Sequence, residues 1–216
     1  MSGTDLIDRQ PYLRELLSYL EARPAPSANA IEHPDDSVNN LSEREKAKLR
    51  RAAVLIAITR PTKDRASDVV LTLRSPHLNS HAGQVSLPGG SIEQGDIDLC
   101  DTALRESEEE IGLPRSKVQV VGQLGNMALP SGFYITPVVG LIEQGLTLKP
   151  CPIEVAEIFH APLSLLLNTD SYSSSSMKYK NRATRILEIQ YGKFRIWGAT
   201  AAMLFHLARE LEDFRK

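Results

Sequence analysis

The sequence predicts an α+β fold around a mixed sheet, and three observations carry that expectation. An apolar run, AAVLIAIT at 52–59, is followed by DVVLTLR at 68–74, which reads as its hairpin partner. A helical segment resumes near Asp101 and stops at Gly112, a residue suited to a helix C-cap. A C-terminal stretch from Ile196 to Phe214 sets Ala199, Met203, Leu207 and Leu211 on one helical stripe.

Taken in order, residues 5–22 place Leu13, Leu16, Leu17 and Leu20 at helical spacing. The Pro-, Ser- and Asn-rich stretch from Arg23 to Asn40 reads as a loop or arm. Ser42 with Glu45 three residues later is a capping-box pattern for a short basic helix, EREKAKLRR. The two strands at 52–59 and 68–74 come next, then a loop containing Gly83, Pro88, Gly89 and Gly90, then the helix near Asp101. Further strands are expected at 117–124, 134–142, 154–160 and 184–191, with a short helix, PLSLLLN, after the third. The serine run 173–176 is the single low-complexity piece, and no internal repeat is present. This divides the chain into an N-terminal helix and arm, 1–47, and one domain, 48–216. The arm either docks on the domain or mediates a homodimer.

An apolar share of 42% against 24% charged residues is enough for a core and excludes wholesale disorder. With 25 basic and 27 acidic residues the net charge is −2, which disfavours a generic nucleic-acid or membrane-surface binder. No apolar run approaches a bilayer span and the N-terminus lacks a signal-peptide pattern, so a cytoplasmic location is expected. Cys100 and Cys151 make neither a disulfide framework nor, alone, a zinc site.

Charge is evenly spread except in one window. Between Glu93 and Glu110 stand eight acidic residues and one basic, Arg105, a local charge of −7. On a helix, Glu106 shares a face with Glu109 and Glu110, and like charges so placed oppose the helix unless a cation sits among them. Oxygen-only ligands at that spacing suit Mg²⁺ or Mn²⁺. A solvated acidic face is the alternative for a bare EEE run.

The context of that run is LPGGSIEQGDIDLCDTALRESEEEIGL, residues 87–113, which closely resembles the Nudix box. Arg105-Glu106, Glu109-Glu110 and Gly112-Leu113 match in spacing. Ser107 departs from the box's apolar slot, one extra residue lies between Gly90 and Arg105, and Asp96 stands where the box has its first Glu. Upstream, LTLRSPHLNSHAGQVSLPGG at 71–90 resembles the motif of the coenzyme A diphosphatases within the Nudix superfamily. Arg74, Ser75, Gly83, Pro88, Gly89 and Gly90 fall in place; Asn79 replaces an Arg and Leu87 a Phe. Later segments, including YITPVVGLI and IWGATAAML, are similar as well, so the resemblance spans about residues 50 to 210.

The resemblance implies a Nudix fold, an α/β/α sandwich around the mixed sheet. It also implies a metal-dependent hydrolase that splits coenzyme A into 3′,5′-ADP and 4′-phosphopantetheine. A Nudix pyrophosphatase acting on NADH, ADP-ribose or a nucleoside triphosphate is the nearest rival, and a non-catalytic nucleotide sensor a second. Glu106 and Glu110 are expected as metal ligands, with Glu109 as a third ligand or as the base. Arg105 is expected to orient the glutamates by a bidentate pair, or to serve as a structural salt bridge. Candidate substrate contacts are Arg74, Ser75, His81, Gly89 and Gly90, where the glycines equally suit tight turns. Lys178, Lys180 and Arg182 either add positive charge or form a solvated loop. Trp197 either stacks on adenine or packs in the core. Glu154 and Glu157 are expected to be surface carboxylates, with a late metal ligand as the alternative.

Overall fold

A computed structural model describes residues 6–7, 9–22, 30–34, 36–179 and 182–216, with the side chains of 177–179 and 182–184 left aside. Lys180, part of the arm at 23–29, and the side chains of Lys178 and Arg182 therefore lie outside the described residues.

The molecule is organised by one long strand. Strand β1 (Arg50–Thr59) alternates its side chains between two helical layers. Ala53, Leu55 and Ala57 belong to one apolar cluster; Val54, Ile56 and Ile58 belong to another. The first cluster is closed by Ala103, Ile111 and Leu113, from and just after helix α3 (Leu99–Ile111). The second is closed by Leu13 and Leu16 of helix α1 (Pro11–Ala22) and by Leu204, Leu207 and Leu211 of helix α5 (Gly198–Phe214). The result is a sandwich of helix, sheet and helix. Each fully buried Leu or Ile contributes roughly 1.5–3 kcal/mol, and the two alanines let α3 lie close to the sheet.

Strand β2 (Asp68–Arg74) pairs antiparallel with β1 at Val69, as the hairpin reading expects, and with β8 (Val155–Pro162) along its length. Two short strands, β3 (Val85–Ser86) and β4 (Gly89–Ser91), pair with β2 and β1. Strands β5 (Gln119–Gln123) and β6 (Met127–Ala128) pair antiparallel with β7 (Phe133–Ile142), which runs parallel to β1 over its whole length. One parallel pair among antiparallel ones makes the sheet mixed. A second sheet joins β9 (Ser173–Tyr179), β10 (Arg182–Tyr191) and β11 (Phe194–Trp197).

Several expectations need correction. The basic helix after Ser42 is only α2 (Glu43–Lys46), although both capping-box bonds form, because the chain is drawn into β1 by Arg50. The PGG loop contains strand β4, and the serine run forms β9, since partner strands supply what local propensity does not. The C-terminal helix starts at Gly198, not Ile196. Ile196 is buried opposite Ile189 on β10, and Gly198 at φ +64° separates strand from helix. Trp197 is thus a half-exposed strand-end residue with the Arg195 guanidinium over its ring, not a member of the helix stripe. A single turn, α4 (Leu163–Leu166), follows β8.

Helix α1 docks onto β5 and α5. Leu13 and Leu16 are fully buried there, Tyr19 meets the Phe214 ring edge-on, and Arg215 pairs with Glu15. No described helix is long and apolar enough to cross a membrane.

Candidate active site

The local sequence aims α3. Asp98 caps its first turn by accepting from the Asp101 N–H at 2.8 Å, and Gly112 closes it in the left-handed region at φ +64°. Ser107, which departs from the apolar slot of the box, is fully buried and donates to the Ala103 carbonyl at 2.7 Å. Its hydroxyl is satisfied within the helix, so the polar residue fits an apolar position.

Arg105 is the hub of the middle of the helix, joining it to the loop before it. Its Nε and Nη2 donate to the two oxygens of Asp96 at 2.8 and 3.0 Å, and Nη2 also donates to the Ser91 carbonyl at 2.9 Å. Nη1 reaches Glu106 and Glu109, each at 3.1 Å. The bidentate partner is therefore Asp96 and not a glutamate, which corrects the expectation for Arg105; Glu106 and Glu109 share its remaining nitrogen, Nη1. Asp96 accepts further bonds from the Glu93 N–H and the Thr102 hydroxyl. These bonds, the Arg105 pair above all, hold its carboxyl well below the usual range, and the same pair pushes the Arg105 guanidinium up.

At the C-terminal end of the helix, Glu110 is only 3% exposed. Its Oε2 accepts from the Gly89 N–H at 3.1 Å, and Arg74 Nη1 stands 3.7 Å from Oε1. Burial pushes its pKa up to about 7, against the pull of Gly89 and Arg74, while Glu154 and Glu106 push it further. Glu106 is raised as well, again mainly by burial, with Glu109 and Glu154 adding to it. Glu109, at 59% side-chain exposure, points into solvent beyond Arg105.

The two glycines of β4 explain how close the carboxylates come. A Cβ on Gly90 would lie 2.5 Å from Glu106 Cδ and 2.7 Å from its Oε2. One on Gly89, where φ is +151°, would lie 2.5 Å from the Val54 Cα and collide with the Ala53 carbonyl. Gly90 thus makes room for a carboxylate and Gly89 for a neighbouring strand.

The fold therefore gathers Arg105, Glu106, Glu109, Glu110, Arg74, Gly89 and Gly90. Ser75 is buried beside them and its N–H binds the Glu154 carbonyl at 2.8 Å. His81 stands apart: it is exposed, adopts φ +58° and bonds Gln84 at 2.9 Å through Nδ1. Asn79 is exposed in the same loop, and Leu87 is buried in the core. Glu157 pairs with Lys193 at 2.7 Å, as a surface carboxylate does. Cys100 faces Gln123, and burial raises its thiol pKa, which opposes reactivity. Sequence reasoning undervalued Asp96 and Glu154, because only strand pairing and loop closure bring them to α3.

The donor set suits a hard divalent cation: oxygen-only, shielded from water at Glu106 and Glu110, and carrying more negative charge than Arg74 and Arg105 neutralise. Among the described residues no three such ligands already surround one point, because Arg105 holds Glu106 and Glu109.

Residues 49–166, more than half of the chain, match the NUDIX domain family model. The chain belongs to the Nudix hydrolase family. It is 42% identical over 163 residues to the uncharacterised Nudix hydrolase NudL of Photorhabdus laumondii, covering 76% of this chain and 86% of that one. The likeness to NudL of Yersinia pestis is 36% over 209 residues, or 96% and 98% of the two chains. The Nudix hydrolase RenU of M. smegmatis has the same fold, with a TM-score of 0.50 at 21% identity over 77% of this chain and 88% of its own. This Nudix hydrolase acts on a nucleoside diphosphate derivative, and α3 and β4 both lie inside the matched residues.

Proposed function

We propose that this Nudix hydrolase cleaves the diphosphate bond of coenzyme A or its acyl derivatives. The products are 3′,5′-ADP and (acyl-)4′-phosphopantetheine. One observation carries the reading: Arg74, the arginine of the LTLRS segment that resembles the coenzyme A diphosphatases, lies beside Glu110 on α3. Its Nε is buried without a hydrogen-bond partner while about a quarter of the side chain is exposed, so the guanidinium is not fully satisfied within the protein and its exposed part can meet a phosphate oxygen.

Glu106 and Glu110 would hold Mg²⁺ or Mn²⁺, with Glu109 as third ligand or base. A bound divalent cation supplies Lewis-acid polarisation of the diphosphate and relieves its repulsion from the carboxylates. Arg105, fixed by Asp96, orients Glu106 and Glu109. Gly89 and Gly90 set the distance between β4 and the carboxylate face, and Arg74, Ser75 and His81 are assigned to the substrate side. Water adds across the P–O–P linkage: one phosphorus gains the hydroxyl, the other phosphate leaves with the bridging oxygen, and each product is a monoester whose second pKa is about 6, so close to two protons are released at neutral pH. A carboxylate on α3 accepts the proton from the attacking water. The partner is a small molecule, in a cytoplasmic setting.

Product analysis with purified protein and Mg²⁺ or Mn²⁺ tests this, with coenzyme A beside NADH and ADP-ribose. Release of 3′,5′-ADP and 4′-phosphopantetheine, abolished by chelator, is expected. Intact coenzyme A with cleavage of another diphosphate would overturn the substrate and direct attention to Asn79. No metal-dependent release from any nucleotide would favour a sensor.

A further inference from the structure

We propose that Arg51 is a specificity residue of this hydrolase and binds the 3′-phosphate of the coenzyme A nucleotide. This rests on the coenzyme A reading above and adds a contact outside the scissile diphosphate. In sequence, Arg51 is the last charge of the basic run EREKAKLRR and looks equivalent to Arg50. The structure separates the two.

Side chains of β1 alternate, and Ala53, Leu55 and Ala57 pack with α3. Arg51 precedes Ala53 by two residues and stands on the same face. Arg50 stands on the opposite face, with its guanidinium 4.1 Å from the centre of the Phe133 ring. Ala53 pairs with Gly90, the glycine that leaves room for Glu106. Two residues further out, the Ile92 N–H donates to the Arg51 carbonyl at 3.0 Å, and Tyr134 of β7 is the register partner of Arg51. Ile92, Arg51 and Tyr134 thus form a row across the sheet, about 7 Å beyond the row of Gly90 and Ala53. Arg51 and Ile92 are exposed, so α3 stops short of this row.

The charge of Arg51 is available there. It makes no ion pair and no side-chain hydrogen bond with another described residue. Nearby cations are engaged: Arg105 by Asp96, Lys46 by Glu43. Coenzyme A carries a phosphate monoester on the ribose 3′-oxygen, one sugar ring from the diphosphate, with a charge of about −1.5 to −2 at neutral pH. A divalent cation on α3 offsets the diphosphate but not this second group, which the acidic window from Glu93 to Glu110 repels. A planar guanidinium on the same face, one row out, offsets it and can grip it by two parallel N–H bonds. Ile92 and Tyr134 on either side offer apolar surface to the ribose and base.

The test compares kcat/KM for coenzyme A with that for 3′-dephospho-coenzyme A, which has the same diphosphate and lacks the monoester. It uses wild type, Arg51→Gln and Arg65→Gln. Arg65 is exposed in the turn between β1 and β2, at the opposite end of β1, so its variant carries the same change in net charge. Arg51→Gln is expected to lose about tenfold to a hundredfold on coenzyme A, mainly through KM, and nothing on the dephospho form. Arg65→Gln is expected to match wild type on both. An equal loss on both substrates, or no loss on either, would overturn the assignment, as would an equal loss on coenzyme A in Arg65→Gln. Wild type that cuts both forms equally well would overturn it too, leaving the coenzyme A reading intact. If wild type spares coenzyme A and cuts another nucleotide, both readings fall together.

Discussion

Arg105 and Glu110 sit on the same helix, yet the first is surrounded by partners and the second is nearly starved of them. Arg105 spends its N–H groups on Asp96, Ser91, Glu106 and Glu109. Glu110 has one backbone N–H and a more distant guanidinium. Charge that is fully paired in the folded chain supports structure; charge left short of partners favours whatever ligand completes it. The Asp96–Arg105 end is thus a mount, and the Glu106–Glu110 end is the part that waits for cation and diphosphate.

The strongest way to break this contrast is through the glycines. Gly89→Ala should destabilise the protein by about 3–4 kcal/mol, combining a strained positive φ with a collision against backbone. Gly90→Ala meets only the end of the Glu106 side chain, so it should spare most of the stability while activity falls. Thermal unfolding beside a turnover assay checks the pair; equal loss of stability in both would refute the distinction.

Glu110→Gln comes next. Turnover should fall by at least about a hundredfold. Stability should move the other way. Glu110 ionises near 4.5 when unfolded and at about 7 when folded, so between those values the native state binds more protons. Its contribution is therefore full below pH 4.5 and lost as pH rises to 7, a change of roughly 3 kcal/mol. Chelated wild type should show this loss, whereas Glu110→Gln should not and should be the more stable protein at pH 8. A parallel pH profile in both would show that Glu110 is not the titrating group.

Asp96→Asn sharpens the other end, with the smallest effect. Removing the bidentate partner of Arg105 should cost about 2 kcal/mol. Asp96 has a lowered pKa, so its stabilisation is present above its unfolded value near 3.8 and lost as pH falls below it. The variant should therefore differ most from wild type near neutrality and converge with it in acid. Denaturant unfolding at both ends of that range measures it, and a constant difference would contradict the pairing.

The acidic helix was legible because its signals are local. The 3.6-residue period puts Glu106 with Glu109 and Glu110, and Gly112 stops the helix where a left-handed residue is required. The hairpin of β1 and β2 was legible for the same reason. β4 and β9 were not: Gly89 and the serine run have weak strand preference, and pairing with β1 and β10 decides them. The misplaced start of α5 has a related cause, since Ile196 and Trp197 continue a helical pattern that β10 captures as a strand.

The sequence by itself determined the Nudix helix, its caps, the spacing of its carboxylates and the apolar faces that bury it. These follow from backbone geometry over a few residues, so no distant partner is needed. Only the tertiary structure decided that Asp96 grips Arg105, that Gly90 yields space to Glu106, and that Arg74 meets Glu110. Those contacts depend on strand register and on loops closed between distant segments. Burial does the rest, because a carboxylate acquires its altered proton affinity only when folding takes its water away.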